Sequence, residues 1–149
     1  MAQAQKVKVI KNAPVVARQL HQFLSDSYAT LVLTQNFHWN VEGQDFYGLH
    51  KLSEMFYDEQ FTAIDEIAER IRALGEKVET SLAVFNKESK IKHAPTVAGL
   101  IAAQEEMVKS AQDLIDIAGE NEDKGSEDLG VRRIQVHQKN AWMLKSQAK

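Results

Sequence analysis

The sequence predicts an all-α protein: a four-helix bundle whose second and third helices are joined by a long crossover carrying a short extra helix. Three observations predict it. The 149 residues include only 2 Pro and 7 Gly, so long segments run without a breaker. Apolar residues recur at three- and four-residue steps in four separate segments. The stretch 76–94, between the second and third of these, is too long for a hairpin turn and suits a crossing from one end of a bundle to the other.

The first helix is expected over about residues 13–40, with Pro14 in the opening turn, where a missing N–H costs nothing. Val16, Leu20, Phe23, Leu24, Leu31 and Phe37 are its apolar residues. The second is expected over about residues 45–74, with Asp45 as N-cap and Gly75 in the left-handed conformation that ends many helices. Leu49, Leu52, Phe56, Ala63, Ile67, Ile71 and Leu74 form its stripe. Residues 81–86 suit the short extra helix. The third long helix starts near Pro95 and Thr96 and is the most regular, with Val97, Leu100, Ile101, Met107, Val108, Ala111, Leu114, Ile115 and Ala118 in phase. The fourth is expected to begin after Ser126, where Glu127 and Asp128 complement the positive end of the helix dipole; Ile134, His137, Ala141 and Leu144 share one face. Helices two and three then run parallel, which is the ferritin-like connectivity. The expected organisation is a Lys-containing tail over residues 1–12 and a bundle over residues 13–147.

Composition narrows the function. Without Cys there is no disulfide framework, thiolate metal site or thiol nucleophile. The first eleven residues lack the apolar core of a signal peptide, and the longest apolar run, residues 13–17, is far too short for a bilayer, so a soluble, cytoplasmic protein is expected. With 18 Lys+Arg against 21 Asp+Glu, the formal charge of −3 exerts no general pull on nucleic acid. Any DNA contact would fall to Lys6, Lys8 and Lys11, which precede the first acidic residue, Asp26.

The second helix carries the chemistry. At ~100° per residue, His50, Glu54, Asp58, Asp65 and Glu69 fall in one sector roughly 100° wide, nearly opposite the apolar stripe. Imidazole and carboxylate on one face form a ligand set for iron, manganese or zinc. The competing reading is the wet face of an amphipathic helix, which accounts for Glu54 and Asp58 taken alone. Fifteen residues separate His50 from Asp65, roughly 22 Å along a straight helix, so the two cannot hold one ion within one chain. Two copies of this helix packed antiparallel across a twofold axis would bring them together, with two equivalent sites per dimer. No histidine has an acid three residues before it, which disfavours the Glu-x-x-His centre built inside a single bundle.

His38-Trp39-Asn40-Val41-Glu42-Gly43, Phe46, Leu49-His50, Tyr57-Asp58-Glu59, Asp65, Ala68-Glu69-Arg70-Ile71, Leu74-Gly75 and the closing His137 with Ala141-Trp142-Met143-Leu144 together resemble the Dps family of mini-ferritins. The resemblance covers essentially the whole chain. It implies a hollow dodecameric shell, nucleoid-associated in some members, that oxidises Fe(II) with hydrogen peroxide, mineralises Fe(III) inside and shields DNA from oxidative damage. The implied ferroxidase ligands are His38 and His50 of one subunit with Asp65 and Glu69 of its twofold partner, around as many as two iron ions per intersubunit site. Glu54, one turn after His50, takes a position that is often acidic in the family. From its helical phase alone, beside Leu24 and Leu31, His38 reads as a core residue; the His-Trp-Asn match makes it a ligand. His137 reads as structural, His21 and His93 have no partners at metal spacing, and Trp39 reads as an interface aromatic. The acidic run Glu120, Glu122, Asp123, Glu127 and Asp128 reads as a solvated turn from residue type alone. The resemblance makes Asp123 and Asp128 candidates for a threefold iron-entry pore. The second functional reading is a DNA-compacting structural protein acting through Lys6, Lys8 and Lys11, with weak contacts summed over a shell.

Overall fold

The computed structural model describes residues 9–147. Its helices are α1 (Ala13–Asn40), α2 (Phe46–Ala73), α3 (Leu82–Glu88), α4 (Val97–Glu120) and α5 (Lys124–Gln147), and no strand occurs among the described residues. The four long helices form the bundle, and α3 is the short helix of the crossover. α1 packs on α2, α3 and α4, while α5 packs on α4 and α2. The last turn of α2 meets the α4–α5 turn through an Arg70–Asp123 ion pair, so α2 and α4 end at the same pole and run parallel.

Caps account for most boundaries. Asn12, Ser81 and Thr96 accept from the backbone N–H three residues on, at 3.4, 3.1 and 3.0 Å, and open α1, α3 and α4. Asp45 occupies the N-cap position of α2, but its side chain makes no capping bond. Gly75, at φ +89°, closes α2: its N–H reaches the Arg72 carbonyl, and that of Glu76 reaches Ile71. α5 starts earlier than the sequence suggests because Asp123, not Ser126, is its cap. One Asp123 oxygen accepts from the Ser126 N–H at 3.1 Å, and the other accepts from the Ser126 hydroxyl at 2.6 Å.

Phe23, Leu20 and Leu24 of α1, Ile67 and Ile71 of α2, Leu100, Met107 and Leu114 of α4, and Leu129 and Leu144 of α5 are almost wholly buried. Each contributes about 1.5–3 kcal/mol by leaving water. A polar layer crosses this core. Arg133 pairs with Glu59, donates to Gln60 at 3.0 Å and reaches the His137 Nε2 at 3.3 Å, while the His137 Nδ1 donates to Gln104 at 2.7 Å. Both nitrogens of the fully buried His137 are therefore used inside the bundle. Burial, aided by Arg133, holds its pKa well below the usual value.

At the pole where α2 ends, Lys11 is held against the α4–α5 turn. Its N–H donates to the Asn121 carbonyl at 3.0 Å, and its Nζ lies 2.8 Å from Glu122. Lys6 and Lys8 lie outside the described residues. Among the described residues no helix is long and apolar enough to cross a membrane.

Candidate metal centre

The α1–α2 hairpin brings together two histidines twelve residues apart. The rings of His38 and His50 stack with centroids 3.7 Å apart and planes 18° from parallel. The His38 Nδ1 donates to the His50 carbonyl at 2.7 Å, and the His50 Nδ1 donates to the His38 carbonyl at 2.9 Å. A carbonyl can only accept, so Nδ1 of each neutral ring carries the proton and each Nε2 keeps its lone pair. Neither Nε2 is hydrogen-bonded among the described residues. A backbone carbonyl that fixes the tautomer of a metal-binding imidazole is a recurrent device of metal sites.

Packing holds the pair in place. The Ser53 hydroxyl, 3.3 Å from the His38 Nδ1, donates to the Leu49 carbonyl at 2.7 Å. Phe46 stacks on His50 and Tyr57 meets His38 edge-on. His38 is buried, as its helical phase predicts, yet the ring it touches belongs to another candidate ligand. His50 and Glu54 are half-buried. Lys51 bonds Glu54 at 2.9 Å, and this contact holds the Glu54 carboxyl below the usual carboxylate range. Burial pushes the Tyr57 phenol up.

Asp65 and Glu69 lie four and five turns farther along α2, exposed, with no ion pair or hydrogen bond among the described residues. Their cationic neighbours are engaged elsewhere. Arg70 turns to Asp123 and Ser126, and Arg72 donates to the Glu76 carbonyl at 2.8 Å. Nearby Glu66, by contrast, has Arg132 at 2.6 Å. The charge network that could have neutralised Asp65 and Glu69 is absent among the described residues. Among the described residues of one chain no three His, Asp or Glu side chains converge as a cation site.

The same side of α2 is partly apolar. Tyr47 and Phe61 fall inside the sector of His50, Asp65 and Glu69, and Met55 lies beside it. These three and Trp39 are 61–71% exposed, a concentration of apolar surface of the kind that a partner covers. Phe61, an aromatic in phase with the acids, is the residue whose type in the sequence signals this surface. Ser53 carries no signal of its own until the hairpin places it, and Tyr57 enters the sequence reading only as part of the Tyr57-Asp58-Glu59 match.

The acidic turn divides. Asp123 is buried, with both oxygens bound by Ser126 and one also by Arg70, so within the chain it is engaged in building the turn. Gly125 is part of this arrangement, since a Cβ there would sit 2.8 Å from the Arg70 guanidinium. Asp128 is exposed and bonds Arg132 at 3.0 Å. His21 bonds the Lys77 carbonyl, and His93 faces Glu106.

Comparisons with known proteins converge on this architecture. The family model described as a ferritin-like domain matches residues 17–149. A low temperature-induced protein of Nostoc is 36% identical over 140 residues, 88% of this chain and 78% of its own. The DNA protection during starvation protein 2 of Bacillus anthracis is 33% identical over 138 residues, 88% of this chain and 94% of its own. The crystal structure of the Vibrio cholerae Dps protein, described as a member of the ferritin-like diiron-carboxylate superfamily, superposes with a TM-score of 0.88 at 27% identity. That superposition covers 99% of this chain and all of the other.

Proposed function

The chain belongs to the ferritin-like family, on its Dps branch, and from that premise we propose that it oxidises Fe(II) at sites shared between twofold-related copies and stores the ferric product within a closed shell. One observation carries the reading. The α1–α2 hairpin joins two imidazoles with free Nε2 lone pairs, buried His38 of α1 and half-buried His50 of α2, and farther along the His50 side of α2 stand two carboxylates unpaired among the described residues. Antiparallel packing of α2 on a second α2 places each imidazole pair against a carboxylate pair. It also covers Tyr47, Met55 and Phe61.

Fe(II) enters as substrate. His38 and His50 supply nitrogen, Asp65 and Glu69 of the partner subunit supply oxygen, and Glu54 adds a carboxylate if it leaves Lys51. The preset imidazole tautomers remove one reorganisation step from binding. Two ferrous ions side by side each give one electron to hydrogen peroxide, which takes up two protons from solvent, so two waters form and no hydroxyl radical is released. Fe(III) then hydrolyses and mineralises inside the shell, keeping peroxide and iron away from DNA. A dodecamer in the cytoplasm, with Asp128 beside an iron-entry pore and Asp123 shaping its rim, completes the proposal.

Iron oxidation by the purified assembly, followed by ferric absorbance after anaerobic Fe(II) addition and a peroxide pulse, tests it. Rapid oxidation with retention of iron at the native mass is expected; precipitation of ferric hydroxide at the rate of a protein-free control would refute it. The DNA-compacting reading is weaker here, because Lys11 is held by Glu122 and only Lys6 and Lys8 remain of the basic group.

A further inference from the structure

A buried hydroxyl stands behind one ring of the histidine pair. Ser53 lies on α2 three residues after His50, 1% exposed, with its Oγ 3.3 Å from the His38 Nδ1. The same oxygen is 2.7 Å from the Leu49 carbonyl and 3.0 Å from that of His50. Both carbonyls can only accept, so the single hydroxyl proton turns to the backbone and a lone pair is left for the imidazole. The His38 Nδ1–H therefore forks between the His50 carbonyl at 2.7 Å and the Ser53 Oγ.

A serine or threonine inside a helix often does no more than bond the carbonyl four residues back. Ser25, Thr30 and Thr34 of α1 do this at 3.0, 2.9 and 2.7 Å, and their hydroxyls make no other hydrogen bond among the described residues. Ser53 makes the same backward bond and has an imidazole of another helix on its other side.

We propose that Ser53 is a positioning residue for His38, an inference that rests on the iron-oxidising reading. The chain of bonds has one polarity, from the His38 Nδ1–H to the Ser53 Oγ and from the Ser53 O–H to the Leu49 carbonyl. With the proton on Nε2 instead, a bare Nδ1 would face the lone pairs of the His50 carbonyl. The Ser53 hydroxyl could relieve that only by leaving Leu49. Two acceptors in place of one also narrow the tilt open to the ring. Ser53 thereby keeps the His38 Nε2 free of a proton before a cation arrives, and ties a ligand of α1 to the helix that carries His50.

The test titrates the assembled protein anaerobically with Co(II), a redox-silent stand-in for Fe(II), and follows visible absorbance. Histidine tautomers of the metal-free assembly are read by solid-state nitrogen NMR, with the His38 signal assigned by its loss in His38→Gln. In Ser53→Ala the Co(II) dissociation constant should rise about tenfold, the low end of the cost of losing an outer partner of a metal ligand, and a His38 Nε2–H signal should appear. Ser25→Ala removes a comparable buried hydroxyl from α1 and should change neither. Unchanged affinity or unchanged tautomers in Ser53→Ala, or equal changes in Ser25→Ala, overturn the assignment. So does a His38 that carries its proton on Nε2 in the unsubstituted protein, a measurement that needs no Ser53 variant. Co(II) bound equally well with and without the Ser53 hydroxyl defeats this inference alone, whereas no Co(II) bound by the unsubstituted assembly defeats the functional reading and this inference with it.

Discussion

The imidazoles of His38 and His50 lock each other. Each Nδ1 is bonded to the backbone carbonyl of the other residue, and the rings lie face to face. The consequence is chemical as well as structural, because the arrangement satisfies one nitrogen of each ring and leaves the other as a donor to a metal. A surface histidine would have to choose its tautomer on binding; these two have chosen it on folding.

Asp65→Ala together with Glu69→Ala removes the oxygen half of the proposed site. Peroxide-driven Fe(II) oxidation should fall by at least about tenfold, since ligand loss exceeds the usual effect of losing an outer partner. Both carboxylates are exposed and unpaired, so helix content and thermal midpoint should stay close to those of the unsubstituted protein. Stopped-flow absorbance and circular dichroism check the two halves.

Asp123→Ala should be a stability variant. It removes the cap of α5 and leaves Arg70 without its carboxylate, a cost of about 2–4 kcal/mol once the partial exposure of Arg70 is discounted. A lower denaturant midpoint at unchanged slope is expected. A shift below about 0.5 kcal/mol, the level of an ordinary surface substitution, would count against the buried contact.

His137 predicts acid sensitivity. Burial lowers its folded-state pKa, so the unfolded chain binds the proton more readily. Its contribution is fully present above the unfolded value of about 6.5 and is lost as pH falls below it, at up to about 1.4 kcal/mol per pH unit. Denaturation curves between about pH 6.5 and 5 should show that slope, and His137→Gln should flatten it; the same slope in both proteins would contradict the assignment.

DNA retention should be weak and carried by the first residues. In a gel shift at low salt, removal of residues 1–11 should abolish any retention, and raising salt from about 50 to 200 mM should do the same to the full chain. Retention that survives both would locate the DNA contact elsewhere on the shell.

Much of this was legible in the sequence, for physical reasons. The periodicity of α2 places His50, Glu54, Asp65 and Glu69 on one side because helical phase is a local property, and 76–94 announces a crossover by length alone. What escaped depends on distant partners. By phase alone His38 reads as core, with only the His-Trp-Asn match pointing to a ligand, and the folded hairpin is what shows that its ring neighbour is the half-buried His50. Asp123 reads as one acid in a loop because its partner, Arg70, lies 53 residues away. The start of α5 is misjudged for the same reason, since Asp123 rather than Ser126 is the cap.

The shared site is tested most directly by complementation. His50→Ala and Asp65→Ala/Glu69→Ala chains are each inactive on this account. Co-assembled at random, about half the dimers are mixed and each mixed dimer restores one of its two sites, so about a quarter of the unsubstituted activity should return. Activity no greater than that of either variant alone, in mixed assemblies verified by mass, would contradict a centre completed by two chains.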